Sequence, residues 1–140
     1  VEITDEVGIS TGLNIIFGNI GDNLDTLDRA VEFLRTHDEG RQRRTIRPVT
    51  PYPGSPLFYT AIEKGLLKDT RDFYETKHLN SDLLAVNFTD LTDQEFHNAL
   101  LRANKTLLED YHLKQLNLEV EQAIKLYSEL DTDFRGFRTT

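Results

Sequence analysis

The chain has 140 residues, 29% of them charged, with a formal net charge of −8 and no cysteine. That length allows one buried core, and the acidic balance argues against a nucleic-acid surface, which must neutralise phosphates. Without cysteine, disulfides, zinc–thiolate sites, cysteine nucleophiles and cysteine-ligated iron–sulfur clusters are excluded within the chain.

Val1 to Val7 reads as the end of a helix with Gly8 as its C-cap. Leu13 to Phe17 is a strand candidate, closed by the turn-forming run Gly18-Asn19-Ile20-Gly21-Asp22-Asn23. Asp22 or Asn23 then caps a helix whose Leu24, Leu27, Val31 and Leu34 form one apolar stripe, with Asp25 and Asp28 near its N-terminus. His37 to Arg44 is a charged loop, and its basic cluster, Arg41, Arg43 and Arg44, reads as solvated. Thr45 to Thr50 is a second strand, and Pro48, lacking an N–H, assigns it to an edge or an irregular position. Pro53-Gly54 makes a turn, Ser55-Pro56 starts a short helix, and Gly65 ends it. Strand, helix, strand in this order favours a parallel pair.

Leu83 to Phe88 is either a third strand or a buried connector. Thr92-Asp93-Gln94-Glu95 is a capping box. It opens a helix carrying Phe96, Leu100, Ala103, Leu107 and Tyr111 on one face, and a separate last helix carries Leu116, Val120, Ile124 and Tyr127. Asp131 to Thr140 reads as a flexible tail.

The chemistry legible in single residues is sparse. A glycine-bearing strand-to-helix turn such as Gly18 to Asn23 exposes backbone N–H groups beside a helix N-terminus, which suits an anion. It lacks both the GxGxxG spacing and a P-loop lysine. His37, His78, His97 and His112 include no pair at a metal-binding helical spacing, and no serine sits in a nucleophile elbow. The pairs Asp69/Asp72 and Asp131/Asp133 read as solvated acids. No catalytic or metal-ligating set is assigned. No apolar run approaches the roughly 20 residues of a membrane span, and no signal-peptide pattern opens the chain, so a cytoplasmic location is expected. Methionine is absent throughout, including at position 1, and the expectation is a piece of a longer protein.

Taken together, the segments GISTGLNIIFGNIGDNLDTLDRAVEFL, RPVTPYPGSPLFYTAIEKGLL and VNFTDLTDQEFHNAL resemble the C-terminal half of the radical S-adenosylmethionine (radical SAM) superfamily. The nearest branch is the one with a cobalamin-binding domain ahead of its barrel. The specific motif is Thr50-Pro51-Tyr52-Pro53-Gly54-Ser55-Pro56-Leu57, which differs from that branch's P-x-P-G-T-P-L by serine for threonine. The glycine turn is looser: it keeps both glycines and an acid of G-x-P-G-E-T, and loses the proline and final threonine. The likeness covers roughly residues 1 to 110.

This resemblance implies an α/β fold, the C-terminal fragment of a partial (βα)6 TIM-like barrel with two or three mostly parallel strands and a helical extension. Residues 1–68 would supply the last two strand–helix units, 69–130 the extension, and 131–140 the tail. It implies S-adenosylmethionine and a 4Fe–4S cluster as cofactors of the parent protein, leaves cobalamin open, and makes the rest of that polypeptide the partner. The CxxxCxxC cluster motif is absent, so the chain alone would be inert. Asn14, Ile16 and Gly18 on one strand, and Arg47 and Val49 on the next, would face the lumen on the adenine side of SAM. Asn19, Gly21, Asp22, Thr50 and Tyr52, at the C-terminal ends of those strands, would complete the wall. Two other readings compete: a free-standing α/β module binding an anion or nucleotide at Gly18 to Asn23, and an interaction domain built on the two C-terminal helices. Unpaired sheet edges also raise self-association.

Overall fold

A computed structural model describes residues 2–9, 12–38, 40, 42–134 and 137. In chain order these form α1 (Glu2–Glu6), β1 (Ile16–Phe17), α2 (Leu24–His37), β2 (Arg47–Pro48), α3 (Pro56–Glu63), α4 (Thr70–Asp72) running into a π-helical turn (Phe73–Lys77), and α5 (Asp93–Ser128). The result is a mixed, mainly helical fold around a small parallel sheet.

Local hydrogen bonds explain where the helices start. Asn23, and not Asp22, caps α2: its Oδ1 accepts from the N–H groups of Asp25 and Thr26, while its own N–H donates to the Thr26 hydroxyl at 3.0 Å. Ser55 caps α3 by accepting the Phe58 N–H, with Pro56 at the first helical position. Gly65, at φ +69°, ends α3, and the Leu66 N–H reaches back to Ala61 O at 2.9 Å. Gly8 and Ile9 close α1 in the same way, through Ile9 N–H to Thr4 O. Val1 lies outside the described residues.

Thr92 and Glu95 form the expected capping box at the start of α5. The Glu95 carboxylate accepts from the Thr92 N–H and hydroxyl, which holds its pKa below the ordinary 4.5. A depressed carboxylate pKa stabilises the fold above the unfolded value. We therefore expect the box to weaken as pH falls below 4.5 and through the lower folded value, read as a Glu95 carboxyl-carbon NMR midpoint under 4.5.

Helices α2 and α5 pack on one side of the sheet. Phe17 of β1 and Ile46 beside β2 join Leu27 and Leu34 of α2 and Phe96, Ala99, Leu100, Ala103 and Leu107 of α5 in the main core. Phe58, Ala61, Leu67, Phe73 and Val86 make a second cluster beneath α3 and the π-helical turn. Exposed ion pairs such as Arg102–Asp28, at 3.0 Å, join α5 to α2 and add little in water.

Two expectations change, and the alternative left open for Leu83 to Phe88 is resolved. The strands expected over Leu13 to Phe17 and Thr45 to Thr50 pair over only two residues each, Ile16 with Arg47 and Phe17 with Pro48. Next to this pairing a side chain replaces the ladder: Asn104 of α5 accepts the Ile46 N–H at 2.7 Å and donates to the Ile46 carbonyl at 3.0 Å. Asn104→Leu should leave both groups unpaired and cost about 2 kcal/mol, seen as a lower urea midpoint at constant m. Leu83 to Phe88 is a connector burying Ala85 and Val86, not a strand. The two C-terminal helices are one 36-residue helix, because no glycine or proline interrupts Asp93 to Ser128. Among the described residues, no helix is long and apolar enough to cross a membrane.

Candidate functional site on the uncovered sheet face

Period-two alternation sorts the strand residues into two faces. On one, Phe17, Ile46 and Pro48 are buried under α2 and α5. On the other, Asn14 and Ile16 stand beside Thr45 and Arg47, all four exposed, with Ile16 opposite Arg47 in the register. Among the described residues, no helix covers these four side chains, which are open to solvent. With Ile15 from the neighbouring position, this face lines a cavity of about 420 Å³ together with Arg43 and Arg44. A second, of about 500 Å³, shares Arg43, Thr45 and Arg47 and runs past Ile46 and Asp82 to Asn104 and Leu108 of α5. Arg47 Nε reaches Asp82 Oδ1 at 3.0 Å, an exposed pair. Arg44 does not belong to a wholly solvated cluster: its side chain is 10% exposed and pairs with Asp38 at 3.7 Å. Arg41 lies outside the described residues.

The expected site residues divide. Asn14, Ile16 and Arg47 do come together on this face. Gly18 and Val49 do not: Gly18 is buried, and Val49, 6% exposed, lies in the apolar interior. The strands end at Phe17 and Pro48, and Gly18, at φ +100°, turns the chain out of the alternation. Thr50 is half-buried. Tyr52 is half-exposed, edge-on to Phe73 and beside the His78 ring. It forms part of the rim made by the 50–56 turn, where the Ser55 N–H bonds to Tyr52 O and Gly54 sits at φ +91°.

Asn19, Gly21 and Asp22 form a turn that binds its own anion. Asp22 Oδ2 accepts from the Gly18 N–H at 3.0 Å and the Asn19 N–H at 2.9 Å, and the Ile20 N–H is taken by Asn19 Oδ1. The carboxylate thus sits where a ligand phosphate would have been cradled, and α2's first amides are taken up by Asn23. Of the turn's amides, those of Gly18, Asn19 and Ile20 are thus taken by side chains. Asp22→Ala should strand two N–H groups and lower stability by about 1–2 kcal/mol, measurable by chemical denaturation.

Sequence reasoning missed Thr45, Arg43 and Asp82. Thr45 was within reach, since it lies two residues before Arg47 on the same face; nothing local points to Asp82. The acids read as solvated have structural duties: Asp69 caps α4, and Asp72 accepts from the Lys68 N–H and the Thr76 hydroxyl. Those hydrogen bonds, the Thr76 one foremost, hold the Asp72 pKa below its usual value. Among the described residues, no group of His, Cys, Asp and Glu could hold a metal ion.

The face therefore offers an amide, a hydroxyl, a guanidinium and an aliphatic side chain. These are groups for binding and orienting a ligand. No protein-family model, no curated protein and no solved structure matches this chain.

Proposed function

We propose that the chain is the C-terminal part of a radical SAM iron–sulfur enzyme, forming one wall of the S-adenosylmethionine and substrate pocket and inert by itself. The observation that supports it most is the uncovered face. Two parallel strands carry helices on one side only, and the opposite side is mixed polar and apolar, as the lumen of a ligand-holding barrel is. Asn14, Ile16 and Arg47, expected from the resemblance to face SAM, meet there, and the 50–56 rim follows at the C-terminal end of β2.

The residues present fit only part of the cofactor set. The amide of Asn14 and the Arg47 guanidinium suit the polar groups of SAM, with Ile16 as apolar floor. The iron–sulfur cluster, which supplies the electron that cleaves SAM, finds no ligands here, since the chain has no cysteine. In this reading the cluster is bound by sequence upstream of Val1, and the pocket closes only against that segment. A cytoplasmic location belongs to the same proposal, which holds with or without cobalamin.

The test is to read the coding sequence upstream of Val1. A CxxxCxxC motif within the preceding couple of hundred residues is expected; an open reading frame of that length without one overturns the assignment.

A further inference from the structure

The apolar stripe of α5 changes side along its length. Phe96, Leu100, Ala103 and Leu107 face the core. Lys114 Nζ, donating to Arg35 O and Asp38 O, and Gln115 Nε2, donating to Gly40 O, tie the helix to the end of α2 as far as Gln115. Residues 116–128 continue for about 20 Å at 1.5 Å per residue. From Leu113 onward, five of the apolar residues, Leu113, Leu116, Val120, Ala123 and Tyr127, recur at separations of three, four, three and four positions; Ile124 borders this stripe, while Leu118 and Leu126 lie off it. At 100° per residue this second stripe lies about 150° around the helix from the first, on the far side from the core. Leu113, Leu116, Val120 and the neighbouring Ile124 and Tyr127 are 48–74% exposed.

That spacing is the a/d seam of a coiled coil, whose partner is another helix with the same repeat. Charge selects which helix. The chain as a whole carries −8, yet Leu113 to Tyr127 balances Lys114 and Lys125 against Glu119 and Glu121. Beside the seam stand His112, Asn117, Glu119, Ile124 and Leu126, so only one flanking residue is an acid, and a like seam meets little repulsion. A two-fold contact needs such a self-complementary surface. A projecting helix of this length is also marginal alone in water, so a partner stabilises it.

We propose that the Leu113–Tyr127 face of α5 is a self-association surface on which the same stripe of a second copy packs as a two-helix coiled coil. This is independent of the radical SAM reading.

Sedimentation of the full 140-residue chain should show a reversible monomer–dimer equilibrium in the range of tens of micromolar. Leu116→Glu and Val120→Glu should each give a monomer with unchanged thermal unfolding at low concentration, because both side chains are already exposed in one copy. The cysteine-free sequence allows a clean trap. Val120→Cys, at the midpoint of the stripe, should form a disulfide-linked dimer in either helix orientation, whereas Lys125→Cys, on the opposite side, should not. A wild-type monomer at a hundred micromolar overturns the proposal. So does a dimer that survives Val120→Glu but is lost in Ile16→Lys, which would place the contact on the uncovered sheet face. Equal cross-linking at 120 and 125 also overturns it.

Discussion

Phe96→Ala is expected to cost about 3–5 kcal/mol, a large share of the 5–15 kcal/mol typical of a whole domain. Phe96 is fully buried, and its ring stacks on Phe17 with centroids 5.0 Å apart and planes 26° from parallel. It thus joins α5 to β1 at the centre of the main core, where Leu27, Leu34 and Ile46 are also sealed from water. No neighbouring helix is free to collapse into the space, since the sheet has a single helical layer. Urea unfolding followed by circular dichroism should show a much lower midpoint. A loss under 1 kcal/mol would mean that the ring does not occupy this position.

Gly18→Ala should be the second severe change, at about 2–4 kcal/mol. Two causes act together. Gly18 adopts φ +100°, strained for any residue with a Cβ, and that Cβ would fall 2.6 Å from Cε2 of the Phe96 ring. The ring is pinned by Phe17 and has nowhere to swing. This gives the pair a signature that a simple backbone effect lacks. In the double variant, Gly18→Ala with Phe96→Ala, the clash is gone, so the combined loss should fall short of the sum by about 1 kcal/mol or more. Strict additivity would show that the ring does not lie over Gly18.

What the sequence reveals depends on how far apart the interacting groups lie. Asn23, Ser55 and Thr92 are legible as caps because each bonds to amides two or three residues away. The apolar face of α2 is legible from its spacing, and Leu27 and Leu34 are indeed its buried members. The strand ends are not. Ile46 reads as ladder, yet its backbone is satisfied by Asn104, 58 positions later. The unity of α5 was obscured because its stripe shifts face near Leu113, which imitates a helix boundary although no breaker is present. In the candidate site, alternation puts Asn14, Ile16 and Arg47 on one face, as the structure does, and fails at Gly18 and Val49, where the strands have already ended. Asp82 arrives from a connector whose path is set by packing in the second cluster.

The reach of α5 across the chain has a consequence for the order of folding. Asn104 bonds to Ile46, Arg102 pairs with Asp28, and Lys114 and Gln115 satisfy carbonyls of Asp38 and Gly40, contacts spanning 58 to 76 positions. Such distant partners make closure slow compared with a bundle of local contacts. They also mean that a nascent chain ending before Phe96 has made α2 and its cap but lacks the α5 side chains that close the core. During translation the strand pair must therefore wait, half-covered, until the first half of α5 leaves the ribosome, and that interval is when its edges are most open to mispairing.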